Sequence, residues 1–244
     1  MHSTSSALLV PRRTFTAADM KQIHEFLART GYVYLTGLPD TFDYLGQLTR
    51  MGDPVPQYDG EIVRDIRHDP ALPTGAYSAL SMQRLTPHTE WYEFPGIPPR
   101  YVALWCVRPA RGAGGETTLA DGYRFLRDFS TADIAILRRR VYEWYGPPSA
   151  PGGSPSVVRH PILEDHPDGL IMRYSNQFLQ RTEDGIVSRY IDSGERFFAD
   201  RHFDIAIDHN SVLLWDNWRM IHARNSFSDP RRHLRRLLLA AVSK

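Results

Sequence analysis

The side chains best suited to chemistry in this chain are His88 and Glu90, in the run Pro87-His88-Thr89-Glu90-Trp91. On an extended strand, side chains at i and i+2 project to the same face. An imidazole and a carboxylate placed that way can grip one metal ion from one side and leave the other side open. A second histidine from a distant strand completes the two-histidine, one-carboxylate face that suits non-haem iron(II). Spacing alone selects nothing: with 10 His and 28 acidic residues in 244, the pattern arises by chance. His166-Pro167-Asp168 and His202-Phe203-Asp204 repeat it. The first repeat reads as a polar turn and the second as a helix exit, so context favours His88 and Glu90.

Three further groups supply that context. Gly114-Gly115-Glu116-Thr117-Thr118-Leu119 is a tight glycine turn feeding a short strand, where a threonine hydroxyl can donate to a carboxylate. The plainer alternative for Thr117 is a simple β-former. Leu213-Leu214-Trp215-Asp216-Asn217 is an apolar strand entering an Asp-Asn turn, and a return strand then delivers His222. That geometry predicts a hairpin. In Arg232-His233-Leu234-Arg235-Arg236 the residues at 232, 234 and 236 share one strand face. If that face is inward, Arg232 and Arg236 each need an anion, which a dicarboxylate supplies. If it is outward, they are solvated arginines on a covering strand. Trp91, Tyr92, Trp215 and Trp218 read as packing.

The bulk properties frame these groups. A chain of 244 residues and 28.0 kDa, 42% hydrophobic and 23% charged, reads as one soluble globular domain spanning 1–244, with 1–14 as a loose lead-in. A net charge of +1 gives no support for nucleic acid or an anionic membrane as partner. Arg138-Arg139-Arg140 reads as a solvated face. Cys106, the single cysteine, sits in an apolar run and excludes an internal disulfide, which fits the cytoplasm. Met1 to Arg13 has too short an apolar run and too little basic charge at its start to read as a signal peptide, and no stretch approaches the ~20 apolar residues of a membrane span.

The elements that must position the chemistry follow from pattern. Thr16 and Asp19 form a capping box ahead of Met20, Ile23, Phe26 and Leu27 at helical spacing, stopped by Gly31. Strands are expected at 32–36 and 61–66, with a short helix over 41–51. Residues 68–82 read as a loop bordering the His88 strand. Further strands are expected at 101–108, 116–120, 156–163, 169–175, 203–207, 211–216, 219–223 and 233–242. Helices are expected over roughly 130–145 and 187–199, with a bridge at 146–155. An α/β start followed by about eight short strands implies a mainly β fold with flanking helices, a jelly roll.

In order, His-x-Glu, Gly-Gly-Glu-Thr, Trp-Asp-Asn-x-x-x-x-His and two arginines four apart resemble the taurine dioxygenase and clavaminate synthase superfamily. These are iron(II)- and 2-oxoglutarate-dependent oxygenases built on a double-stranded β-helix. The resemblance runs from Gly31-Tyr32-Val33-Tyr34-Leu35-Thr36-Gly37-Leu38-Pro39 to the last strand. It implies that His88, Glu90 and His222 bind the iron, and that Thr117 and Arg232 hold the distal carboxylate of 2-oxoglutarate. Arg236 resembles the second arginine, near the other carboxylate or the substrate. Glu90 follows the clavaminate branch, whereas the taurine branch uses aspartate. A carboxylate of either kind sets the chain apart from halogenating relatives. Amino-acid hydroxylases of the clavaminate branch tend to carry glutamine in the strand matched by Ile62-Val63-Arg64-Asp65-Ile66, facing the substrate amine. Here Arg64 takes that place and suits a carboxylate or phosphate.

The resemblance therefore implies oxidation of an unactivated C–H bond of a small metabolite, using O2 as cosubstrate. Hydroxylation, desaturation, cyclisation and epoxidation are all open outcomes, and a role in specialised metabolism is expected. The substrate is expected to be a carboxylate-bearing molecule or amino-acid derivative. The alternatives are a non-oxidative jelly-roll metal-binding or sensor protein, which needs no inward arginines, and a hydrolase using the same metal.

Overall fold

The computed structural model describes residues 7–57, 59–72, 79–146, 156–183 and 185–241. Its elements begin with β1 (Ala7–Leu9), α1 (Ala17–Thr30), β2 (Tyr32–Thr36), α2 (Tyr44–Leu48), β3 (Val63–Arg67), β4 (Leu85–His88), β5 (Tyr101–Arg108) and β6 (Thr117–Asp121). They continue with α3 (Gly122–Phe125), α4 (Thr131–Arg139), β7 (Tyr142–Tyr145), β8 (Val157–His160), β9 (Leu163–His166) and β10 (Gly169–Met172). The last are α5 (Ile186–Arg201), β11 (Phe203–Ile205), β12 (Val212–Asp216), β13 (Met220–Arg224) and β14 (His233–Leu239).

Two sheets face each other in a jelly roll. One has six strands in the order β1-β2-β12-β5-β14-β3, and the other has four in the order β11-β6-β13-β4. The alternation of side chains along each strand builds three apolar layers. Val102, Leu119, Leu213, Trp215, Leu234 and Leu238 fill the space between the sheets. Val33, Leu35, Ala103, Leu214 and Leu237 pack outward with Ile23 and Leu27 of α1. Ala120, Ile221 and Ala223 pack outward on the other side with Phe125, Tyr190 and Ile191.

Local chemistry accounts for the first helix. Thr16 Oγ1 accepts from Asp19 N–H at 3.1 Å, and Asp19 Oδ2 accepts from Thr16 N–H at 2.8 Å. Gly31 closes the helix at φ 83° and donates its N–H to the Leu27 carbonyl at 2.9 Å. Losing such an N-terminal cap costs about 1 kcal/mol.

The structure departs from the sequence expectations in several places. Ala7–Leu9, inside the stretch read as lead-in, adds a parallel strand to β2. The helix expected over 130–145 ends at Arg139, and Tyr142–Tyr145 is a strand paired with β8. The reason is the alternation of Tyr142 and Trp144, both buried, with Glu143 and Tyr145. The strand expected at 156–163 is split into β8 and β9 at Pro161, which has no N–H to donate. Most of the bridge expected at 146–155 and the centre of the loop at 68–82 lie outside the described residues. No helix among the described residues is long and apolar enough to cross a membrane.

Candidate metal centre

His88 closes β4, and His222 is the central residue of β13. The two are direct cross-strand partners, and their ring centroids stand 4.2 Å apart. Glu90 is not on the same strand face as His88, as the spacing predicted. β4 ends at His88, and Glu90 sits in the turn that follows. Trp91 turns the chain there with φ 75°, a left-handed conformation that costs a non-glycine residue roughly 1 kcal/mol. The carboxylate still reaches the imidazoles, with Glu90 Oε1 3.5 Å from His222 Nε2. One ligand atom from each of His88, Glu90 and His222 lies within 4.8 Å of the others.

The His88 ring and the backbone of Glu90 are held from behind. His88 Nδ1 lies 2.7 Å from the Thr86 carbonyl, which only accepts, so Nδ1 carries the proton and Nε2 keeps a lone pair. The backbone of Glu90 is held by Asn217, which is 1% exposed. Asn217 Oδ1 accepts from Glu90 N–H at 2.7 Å, and Nδ2 donates to the Glu90 carbonyl at 3.2 Å and the Pro99 carbonyl at 2.9 Å. The hairpin expected around Asn217 is instead a crossing between sheets, because β12 belongs to the six-stranded sheet and β13 to the four-stranded one. That crossing carries Asn217 to the turn holding Glu90.

Burial and the neighbouring His222 hold the His88 pKa down at about 3, so this imidazole is neutral at physiological pH. Burial pushes the Glu90 carboxyl up, but the Arg236 guanidinium and the two imidazoles outweigh it and hold the group well below the usual carboxylate range. The site therefore sets a neutral His88 imidazole and an ionised Glu90 carboxylate beside the His222 ring.

A cavity of about 250 Å³ opens on this triad. Thr117, Arg232, Arg236 and Arg64, the other residues singled out from sequence, all line it. The face carrying 232, 234 and 236 is inward: Arg232 and Arg236 are 4% and 6% exposed, and Leu234 packs between the sheets. Arg232 Nη2 donates to the Gly115 carbonyl at 2.9 Å, and its guanidinium lies over the Phe227 ring at 5.1 Å. Burial lowers its pKa to about 10. Among the described residues no carboxylate lies within ion-pair distance of it. Arg236 is already engaged: Nη1 donates to Glu90 Oε1 at 2.6 Å and Nε to Gln57 Oε1 at 2.8 Å. Arg64 is the cross-strand partner of Arg236, and its Nε lies 3.7 Å from Asp59 Oδ2.

The donor chemistry fits a divalent transition metal, because two imidazole nitrogens and one carboxylate oxygen converge. Two buried polar atoms of residues in the cavity wall, His222 Nδ1 and Trp215 Nε1, have no hydrogen-bond partner among the described residues. A buried cation without a carboxylate fits an anionic ligand.

The two decoy pairs are elsewhere. His166 faces Trp218 at 4.8 Å, in the β9–β10 hairpin. His202 stacks on Phe198 at the end of α5. Sequence reasoning missed Asn217, Gln57, Glu93 and Arg224. Arg224 was the most legible of them, two residues after His222 and therefore on the same strand face. Glu93 also lines the cavity.

The family model for taurine catabolism dioxygenases, the TauD/TfdA family, matches residues 9–238. No curated protein matches the sequence. Among solved structures, the chain is similar to an asparagine oxygenase in complex with Fe(II), 2S,3S-3-hydroxyasparagine and succinate. The identity is 19%, the TM-score 0.75, and the match covers 93% of this chain and 81% of that one. It is also similar to the non-haem iron oxygenase OrfP in complex with Fe and α-ketoglutaric acid, at 22% identity and TM-score 0.71, covering 93% and 81%. A taurine dioxygenase from Burkholderia xenovorans matches at 19% identity and TM-score 0.69, covering 95% and 84%.

Proposed function

Because the chain belongs to the TauD/TfdA family of dioxygenases, we propose that His88, Glu90 and His222 bind its iron(II), and that Thr117 and Arg232 hold the distal carboxylate of 2-oxoglutarate. The protein is an iron(II)- and 2-oxoglutarate-dependent oxygenase acting on a small metabolite, with O2 as second cosubstrate. The observation that carries the residue assignment is the convergence of three ligand atoms within 4.8 Å at a cavity that also holds a buried guanidinium.

The bound iron and cosubstrate supply the oxidising power. The chain's own residues do the rest. Thr86 fixes the His88 tautomer, so that a lone pair faces the metal position. Asn217 holds the backbone of Glu90, and Arg236 keeps its carboxylate ionised and oriented. Thr117 through its hydroxyl, and Arg232 through its guanidinium, would donate hydrogen bonds to an entering carboxylate. Leu85, Leu104, Trp215 and Leu234 supply apolar walls that exclude water.

For the substrate, Arg64 offers a cation and Glu93 an anion on the cavity wall. This favours a carboxylate-bearing amino-acid derivative. The reading also places the enzyme in the cytoplasm, in keeping with a single, buried, free cysteine.

The test is conversion of 2-oxoglutarate to succinate with iron(II) and O2, first alone and then across a panel of amino acids and other carboxylates. Succinate formation by the wild type and none by His222→Ala supports the assignment. Undiminished turnover in His222→Ala removes that residue from the site.

A further inference from the structure

We propose that Arg224 is a positioning residue that fixes the wall of the substrate cavity by binding three alternate backbone carbonyls of residues 79–83. Arg224 is 5% exposed and ends β13, two residues after His222. Its Nη1 donates to the Ala79 carbonyl at 2.6 Å. Its Nη2 donates to the Ser81 carbonyl at 2.6 Å and the Gln83 carbonyl at 2.5 Å. The two intervening carbonyls face other donors, Leu80 O taking Asp69 N–H at 3.0 Å and Met82 O taking Phe227 N–H at 3.1 Å. Five consecutive carbonyls are thereby satisfied in a stretch that belongs to no strand. A guanidinium suits this task because its donors are fixed in one plane and can serve several acceptors at once.

The consequence is geometric. Ala79 and Leu85 both line the cavity, and Leu85 is a cross-strand partner of Arg224. Thr117 is its partner on the other side. The Phe227 ring lies 5.1 Å from the Arg224 guanidinium and 5.1 Å from that of Arg232. The strand that delivers the distal imidazole therefore also sets where the cavity wall stands, next to the arginine assigned to the cosubstrate. Calling this wall a substrate wall rests on the proposed function; the anchoring does not.

Amide hydrogen exchange on the full chain tests it, comparing wild type with Arg224→Met and Arg224→Lys. Methionine fills the volume without donating, and lysine reaches fewer carbonyls. The expected result is exchange at least ~10-fold faster at Asp69, at Phe227 and over 79–85 in Arg224→Met, with Arg224→Lys between it and wild type. Exchange in β12 is expected to stay as in wild type. Wild-type exchange in Arg224→Met overturns the proposal, as does equal acceleration throughout the chain. The measurement needs no iron and no turnover, so its failure leaves the oxygenase reading standing. Failure of the succinate assay, conversely, leaves the anchoring intact.

Discussion

Asn217 grips the Glu90 backbone on both sides of its Cα: its side-chain oxygen accepts from the Glu90 N–H at 2.7 Å and its amide nitrogen donates to the Glu90 carbonyl at 3.2 Å. The residue carrying the carboxylate lies in a turn, outside any strand ladder. The side chain of Asn217 replaces the ladder that β4 no longer provides.

Replacing Asn217 with alanine is therefore expected to weaken metal binding. Second-sphere losses of this kind typically cost about 10–100-fold in affinity. Orphaning buried backbone groups costs a further ~1–3 kcal/mol of stability. Manganese(II) titration followed by electron paramagnetic resonance reads the first effect and thermal melting the second. Unchanged manganese affinity refutes the role given to Asn217.

Arg232→Met separates function from stability. The buried guanidinium is costly to desolvate, and replacing buried ions with apolar residues of similar volume is often neutral or stabilising by about 1–4 kcal/mol. The melting temperature of the ligand-free protein is expected to hold or rise. Affinity for 2-oxoglutarate, measured by calorimetry on the manganese-loaded protein, is expected to fall by at least ~30-fold, the scale of a charge-assisted bond worth ~2 kcal/mol.

Arg64 is assigned to the substrate and not to the cosubstrate. Arg64→Ala is expected to raise KM for a carboxylate substrate by about 10-fold or more, the scale of one lost charge-assisted bond. The 2-oxoglutarate affinity should stay within about threefold, since Thr117 and Arg232 are untouched. Loss of cosubstrate affinity in this variant reassigns Arg64.

Acid should destabilise the metal-free protein well before ordinary carboxylates titrate. His88 in the unfolded chain takes up a proton near 6.5, whereas in the fold it resists until about 3. Between those values the unfolded state binds more protons, so stability falls as pH falls, by at most about 1.4 kcal/mol per pH unit for one group. The lowered pKa of Glu90 adds to the loss below the usual carboxylate range. Melting curves from pH 7 to 4 measure this. His88→Gln is expected to flatten the slope between pH 6.5 and 5.

Much of this was legible in the sequence. The first helix follows from periodicity and a capping box, whereas the candidate ligands came from the family resemblance and spacing left the direction of Arg232 and Arg236 open. The misreadings share a cause, that local pattern does not report which sheet a strand joins. The Trp215–His222 segment has the sequence of a hairpin, yet β12 and β13 belong to different sheets. The helix expected to reach 145 gave way because Tyr142 and Trp144 have a buried partner strand in β8 that the sequence does not reveal. The partners of Asn217 and Gln57 were not legible for another reason. Those partners, Glu90 and Arg236, are remote in sequence, and an amide carries no periodic signature.

The site is assembled across a seam. His88, His222 and Thr117 belong to the four-stranded sheet, and Glu90 to the turn leaving it, while Arg64 and Arg236 lie in the six-stranded sheet and Arg232 immediately precedes its strand β14. Leu119, Leu213, Leu234 and Leu238 act as shims between these halves. Leu238→Ala is expected to let the layers settle and so shift the proposed metal ligands relative to Arg232 without touching either. The spacing of the two halves of the site therefore depends on plain aliphatic residues that touch neither.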